Sequence, residues 1–247
     1  MNQENPRFSG QSGNALWFLL VAIALLAALT ITITRSSDSA DQNANVELSR
    51  IQASQILRYA KGLEQAVNQM QTRNISANDI SFADPGLTGY TNPNCTTDDC
   101  KLFKSKGGGQ SYVAPSDEWL DGTSSPWIFT GKLCVQGVGD QTEAIATDCS
   151  TNTDGSDEDL VMLLPHVRKG LCIELNKMLG VTNPSGNPPA DTGDAWAASP
   201  EFVGTFADGA NIGVNNAGLY RKASGCIEGA GTPASGTYVF YHVLLAR

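Results

Sequence analysis

Six cysteines are the residues best suited to chemistry in this chain of 247 residues. All of them lie beyond the N-terminal third: Cys95, Cys100, Cys134, Cys149, Cys172 and Cys226. An even set confined to one part of a chain is typical of disulfides formed in an oxidising compartment, and reduced buried thiols are the alternative. Proximity along the chain favours pairing Cys95 with Cys100 and Cys134 with Cys149. Cys172 then remains for Cys226.

The acidic segment 148–159 is a second candidate, because it holds five acidic residues in twelve positions. Three of its aspartates carry the carboxylates that Ca²⁺ prefers: Asp154, Asp157 and Asp159. The segment does not match the EF-hand loop, since aligning the loop glycine on Gly155 puts Ser150 first and Val161 twelfth. We therefore favour a solvated acidic turn over a calcium site.

Acid–base or nucleophilic catalysis has little support in the sequence. The chain contains two histidines, His166 after a proline and His242 inside a hydrophobic run, and we interpret His242 as a core residue with satisfied hydrogen bonds. The chain has no G-x-S-x-G, no phosphate-binding loop, no H-E-x-x-H and no C-x2-C pair. The sequence thus predicts a protein that is not an enzyme, with no cofactor and no zinc site.

The charge balance argues against nucleic acid as a partner. The net charge is −9 and the pI is about 4.6, whereas phosphate binding needs a basic face. The small basic cluster of Lys101, Lys104 and Lys106 is typical of a solvated loop.

A long apolar run precedes all of these residues. Ala15 to Ile33 are nineteen residues without a charge. As a helix this run is about 28 Å long, close to the hydrocarbon thickness of a bilayer. We predict a transmembrane helix over residues 14–34, crossing the cytoplasmic membrane once, with the cysteines on its outer side. A cleaved secretory signal and a buried core helix are the alternatives.

Residues 1–13 form a polar leader that ends at Gly13. The order of segments resembles that of the type IV pilin and type II secretion pseudopilin superfamily: a short hydrophilic leader, a glycine, an apolar helix and then an amphipathic helix. The resemblance implies that a prepilin peptidase cuts after Gly13 and leaves Asn14 as the N-terminus. It also implies packing against other pilin-like subunits through the apolar helix, and calcium binding by some members. The fifth residue after the cut is usually a glutamate in this family, and its role is to neutralise the terminal amine of a neighbouring subunit. This chain has Phe18 at that position. Some tip-located pseudopilins also lack the acid.

The next part of the chain is predicted to be a second helix. Residues 35–45 are rich in Ser, Asp and Asn and indicate a linker or a weakened stretch of helix. From Val46, apolar residues recur every three or four positions and form one stripe: Ala53, Ile56, Ala60, Leu63, Val67 and Met70. The opposite face carries Arg50, Arg58, Lys61 and Glu64. We expect the stripe to lie on a sheet.

The remaining elements are predicted from shorter patterns. A strand pair turning at Thr130–Gly131 is expected over residues 127–138, and a buried strand over 160–164. A helix over 167–179 ends at Gly180. Large anchors of the loop-rich parts are Trp119, Trp127, Trp196, Phe202 and Phe206. Residues 237–246 carry the strongest strand pattern, and their imperfect alternation predicts a central strand covered on both faces.

Together these patterns predict an α+β protein. It has an N-terminal transmembrane helix, an amphipathic helix packed on an antiparallel sheet, and a loop-rich head with disulfides. Residues 46–247 are predicted to form one extracytoplasmic pilin-like domain. The expected function is that of a membrane-anchored pilin-like or pseudopilin-like structural subunit, of the minor or tip type, in a type IV filament or secretion system. The alternative is a solitary membrane-tethered binding module that does not polymerise.

Overall fold

The computed structural model describes residues 14–139, 157–191, 201–214 and 216–247, with the backbone alone for residues 14, 15 and 31–43. Contacts divide the chain into two units, Met1–Glu47 and Leu48–Arg247. Helix α1, Asn14–Thr72, contributes residues to both units. The backbone of residues 35–45, the expected linker or weakened helix, is helical within α1.

The described side chains of the first unit are mostly apolar and exposed. Ten large hydrophobic side chains of α1 in this unit are each more than half exposed: Leu16, Trp17, Phe18, Leu19, Leu20, Ile23, Leu25, Leu26, Leu29 and Val46. Within the described part of the chain, no helix combines the length and the apolar content needed to cross a membrane.

The second unit is built on a six-stranded sheet, which confirms the α+β class. The strands, in chain order, are β1 Ile128–Val135, β2 Asp159–Leu164, β3 Ala190–Asp191, β4 Ala210–Ile212, β5 Ser224–Gly229 and β6 Tyr238–Leu245. Their order across the sheet is β3-β5-β6-β2-β1-β4. The four inner strands pair antiparallel, and the short edge strands β3 and β4 pair parallel to their neighbours.

The predicted stripe of α1 packs on one face of this sheet, as expected. All six stripe residues are fully buried, and they share one core with Phe129 of β1, Met162 of β2 and Phe240 of β6. Burying each large apolar side chain contributes about 1.5 to 3 kcal/mol, so this contact is the main source of stability for the second half of α1.

Helix α2, Lys169–Leu179, packs against the same core. It begins two residues later than predicted, and Gly180 ends it in the left-handed conformation with φ 66°. Cys172, on its buried side, is bonded to Cys226 of β5. The disulfide therefore joins α2 to the sheet.

Strand β6 is a central strand covered on both faces, as predicted. It lies between β5 and β2. Tyr238 and Phe240 belong to the core beneath the helices, whereas Val239 and Tyr241 belong to a second core on the opposite face. Because both faces are buried, the strand has no polar alternation for a sequence pattern to detect.

The predicted strand pair over residues 127–138 is wrong. The segment forms the single strand β1, and its pairing with β2 shifts register between Thr130 and Leu133. Gly131 does not turn the chain; a Cβ there would lie 2.8 Å from the ring of Phe202. This glycine therefore allows an aromatic side chain to approach the strand.

The loops between α1 and β1 are held by aromatic side chains. Trp119 and Trp127 are buried as predicted, and the indole nitrogen of Trp127 donates to the Val113 carbonyl at 2.8 Å. The rings of Phe82 and Phe129 stack at 4.3 Å between centroids. Phe202 and Phe206 are also buried, as expected, while Trp196 lies outside the described residues.

Candidate functional site

A pocket of about 570 Å³ opens in the second unit beside the end of β6. Its apolar lining includes Leu57, Val138, Leu179 and Leu245. Its polar lining comes from α1 and from two neighbouring strands: Lys61, Glu64, Asn68, Ser224 and His242. Small-molecule sites in proteins have this size and this combination of mostly apolar lining with a few polar groups.

Three of the polar residues form a hydrogen-bonded row. The Oγ of Ser224 lies 2.5 Å from Nδ1 of His242. The Nε2 of the same ring lies 2.9 Å from Oε2 of Glu64. Ser224 and His242 are direct partners in the antiparallel pairing of β5 with β6, and Glu64 projects from α1, which packs on this face. The sheet register and the helix packing thus assemble the row.

The environment of His242 keeps its ring neutral. Its exposure is 7%, and burial lowers its pKa below the ordinary 6.5, although the neighbouring Glu64 opposes the shift. An ionised carboxylate can only accept a hydrogen bond, so the neutral ring carries its proton on Nε2 and donates it to Glu64. The lone pair of Nδ1 then faces the hydroxyl of Ser224, which donates to it.

Glu64 is held by a second partner. Its Oε1 lies 2.5 Å from Nζ of Lys61, one turn earlier on α1. Lys61 is 58% exposed and Glu64 is 22% exposed in their side chains. The carboxylate therefore bridges a solvated ammonium and a buried imidazole, which fixes its position.

The sequence predicts Glu64 on the face of the helix opposite the apolar stripe, and the structure corrects this, because the Glu64 carboxylate lies against His242 of the sheet. Glu64 follows Ala60 by four residues and precedes Val67 by three, so it flanks the buried stripe. This spacing is the one feature of the sequence that indicates a contact between Glu64 and the sheet. The interpretation of His242 as a buried, hydrogen-bonded residue is confirmed, but its two partners were not predicted.

Two of the three predicted disulfides are present: Cys95 is bonded to Cys100, and Cys172 to Cys226. Cys134 is buried and disulfide-bonded. Its predicted partner, Cys149, lies outside the described residues, so that pairing stays a prediction.

The calcium candidates are only partly described. Asp154 lies outside the described residues, and Asp157 is partly buried. Asp159 is buried at the start of β2, where its carboxylate accepts hydrogen bonds from the backbone nitrogens of Val135 and Arg247, each at 3.0 Å. Burial raises the pKa of Asp159 to about 7. Among the described residues, no group of three or more His, Cys, Asp or Glu is arranged to hold a metal ion.

The predicted cleavage site also lies at the boundary of the described residues. Gly13 is outside them, and Asn14 is the first residue of α1. Comparisons of the chain with protein families, with curated proteins and with solved structures find no significant match.

Proposed function

We propose that this protein is a membrane-anchored, pilin-like structural subunit of a type IV filament or a related secretion system, of the minor or tip type. The observation that carries the proposal is the contrast within α1. In the first unit its large apolar side chains are exposed, and in the second unit its apolar stripe is buried against the sheet. The first part of α1 therefore exposes apolar surface that can pack against lipid or another helix, and the second part is packed in the core of the second unit.

The exposed apolar residues 16–30 need a nonaqueous environment, because contiguous apolar surface of this extent is rarely left in water. A bilayer supplies one: each central Leu, Ile, Val or Phe favours insertion by about 0.3 to 0.6 kcal/mol. Packing among neighbouring apolar helices supplies another. The same segment can therefore serve as an anchor before assembly and as a packing helix afterwards.

Phe18 supports placement at a tip rather than along a shaft. Its side chain is 63% exposed and apolar. In the superfamily that this chain resembles, the residue at this position is usually a glutamate, whose role is to neutralise the amine of a neighbouring subunit, and some tip-located members lack it. A subunit without the acid lacks this means of joining behind another, and we propose that it occupies an end.

The disulfides support a location outside the cytoplasmic membrane. Cys172–Cys226 and Cys95–Cys100 are both formed. Disulfides persist mainly in oxidising compartments, and they are rare in the cytosol of most organisms. We propose that the second unit lies on the periplasmic or extracellular side.

A second candidate is a tethered binding module that does not polymerise. The pocket of about 570 Å³ beside β6 favours it, because the pocket has the volume of a typical small-molecule site. The two candidates share the anchor and differ in whether the apolar helix meets other copies.

The anchor is tested by placing a charge at the middle of the apolar segment. Ala24→Arg should cost about 2.5 to 3.5 kcal/mol of insertion free energy and move the protein out of the membrane fraction. Val113→Arg is the matched control, since Val113 is 50% exposed in the second unit. The proposal fails if Ala24→Arg fractionates like the control.

Polymerisation is tested by cross-linking in the membrane. Leu19 is 61% exposed on the apolar segment, so Leu19→Cys should give covalent dimers on mild oxidation, either with itself or with a pilin-like subunit carrying the matching cysteine. Val113→Cys is the control for random collisions. Membrane-bound protein that stays monomeric in both variants supports the tethered module instead.

A further inference from the structure

We propose that Ser224 is a nucleophile activated by His242, and that the pocket beside β6 hydrolyses carboxylic esters that carry an apolar acyl group. This activity is independent of the proposed structural role and requires no assembly. The observations behind it are the hydrogen-bonded row Ser224–His242–Glu64, the pocket that the row lines, and the donors of Lys61 in the same lining.

The row has the three parts that nucleophilic catalysis requires. The hydroxyl of Ser224 is within hydrogen-bond reach of Nδ1 of His242, at 2.5 Å, and the other ring nitrogen is held by Glu64 at 2.9 Å. In such an arrangement the serine is the nucleophile, the imidazole is its base, and the carboxylate positions the ring and stabilises the imidazolium. Glu64 is a positioning residue, because it acts through His242.

The row is accessible from solvent. Ser224 is partly buried, and it lines the pocket together with His242 and Glu64. A structural hydrogen bond between two neighbouring strands does not require such access. The combination of a polarised hydroxyl with an open cavity distinguishes this site from a buried polar pair.

The lining indicates the class of substrate. Leu57, Val138 and Leu179 provide an apolar surface suited to a short acyl chain. Lys61 and Asn68 line the same pocket. The ammonium of Lys61 has three N–H donors and uses one on Glu64, so donors remain for the oxygen that becomes negative during attack on a carbonyl.

The reaction balances without any cofactor. The Oγ of Ser224 forms a bond to the carbonyl carbon while its proton passes to Nδ1 of His242. The bond to the alkoxide then breaks, and the proton moves from Nδ1 to the leaving oxygen, which departs as an alcohol. Water repeats the attack on the acyl-serine, its proton passing through Nδ1 to Oγ, and a carboxylic acid is released.

Labelling of the full-length protein with an alkyl fluorophosphonate tests the nucleophile. The serine oxygen displaces fluoride from phosphorus, and peptide mapping locates the adduct. We expect Ser224 to react about a hundredfold faster than Ser235, an exposed serine that contacts the carboxylate of Glu228 at 3.1 Å. Ser224→Ala should abolish the fast adduct, and Ser235→Ala should leave it unchanged.

The pH profile separates activation from a structural role. Because burial lowers the pKa of His242, labelling should rise with pH, reach its midpoint below 6.5 and then level off. Glu64 and Lys61 are the charged groups beside this ring. Glu64→Gln removes the charge that stabilises the imidazolium, so it should slow labelling and move the midpoint lower while the protein remains folded.

Three results would overturn the proposal. The first is equal labelling of Ser224 and Ser235 in folded protein. The second is a labelling rate at Ser224 that rises with hydroxide concentration and never levels off. The third is that the wild-type protein hydrolyses p-nitrophenyl butyrate no faster than the Ser224→Ala variant does. If His242→Gln does not fold, the pH profile and Glu64→Gln decide the question without it.

Discussion

The side-chain amide of Asn176 pairs with both backbone polar groups of Cys226. Its Nδ2 donates to the Cys226 carbonyl at 2.7 Å, and its Oδ1 accepts from the Cys226 nitrogen at 2.8 Å. Asn176 is fully buried on α2, four residues beyond the cysteine that is bonded to Cys226. Helix α2 is therefore attached to β5 both covalently and by two hydrogen bonds.

Removing this amide should destabilise the protein strongly. In Asn176→Ala the backbone donor and acceptor of Cys226 lose their partner in the core, and each loss costs about 1 to 3 kcal/mol. We expect the free energy of unfolding, measured by denaturant titration, to fall by about 2 to 6 kcal/mol. Lys177→Ala, one residue further along and 58% exposed, should change it by less than about 1 kcal/mol. Equal effects of the two variants would show that the buried amide of Asn176 does not stabilise the contact between α2 and β5.

The two described disulfides should differ in their contribution to stability. Cys172–Cys226 closes a separation of 54 residues and Cys95–Cys100 one of 5. In the chain-entropy model these loops are worth about 4 and about 2 kcal/mol, respectively. Replacing both cysteines of the long loop by serine should therefore lower the melting temperature more than the same change in the short loop. A smaller effect from the long loop would refute this ranking.

His242 should make the protein less stable in mild acid. Burial holds its pKa in the folded state below 6.5, so the unfolded chain binds a proton that the folded chain does not. Stability is then lost as the pH falls below about 6.5 and is fully present above it. The difference in unfolding free energy between the wild type and His242→Gln should rise up to this pH and then stay constant. A difference that is constant over the whole range would contradict the assigned shift.

Asp159 should make the protein less stable as the pH rises, which is the opposite of the effect of His242. Its pKa is raised from 3.8 to about 7 in the folded protein, so the folded state binds the extra proton between these values. Stability is lost as the pH rises from about 4 towards 7. Asp159→Asn cannot ionise, and its unfolding free energy relative to the wild type should increase across this range and level off near pH 7. A relative stability that stays constant over the same range would show that the carboxylate titrates normally, and one that declines would show that folding lowers its pKa.

The sequence was informative where a pattern is local. The stripe from Ala53 to Met70 has helical spacing, and the structure buries it on the sheet as predicted. The helix end at Gly180 was predicted because a residue in the left-handed conformation is usually glycine. In both cases the residues that carry the information lie within a few turns of one another.

The remaining features depend on contacts between distant residues. Glu64 and His242 are 178 positions apart, and no spacing rule connects a helix to a strand across that distance. Ser224 and His242 meet only because β5 and β6 pair in one particular register. Glycine permits tight turns, so the sequence predicts a turn at Gly131, whereas the role of this glycine is to leave room for Phe202. Register and close approach are set by tertiary packing, which a single sequence does not display.

The mature N-terminus is the most direct test of the proposed structural role. Full-length protein is expressed in a host with a prepilin peptidase, recovered from the membrane fraction, and analysed by intact mass and N-terminal peptide sequencing. We predict a chain that begins at Asn14, so that the apolar segment of α1 is retained and directly follows the cut. An intact Met1, or a chain that begins after residue 34, would contradict the pilin-like assignment.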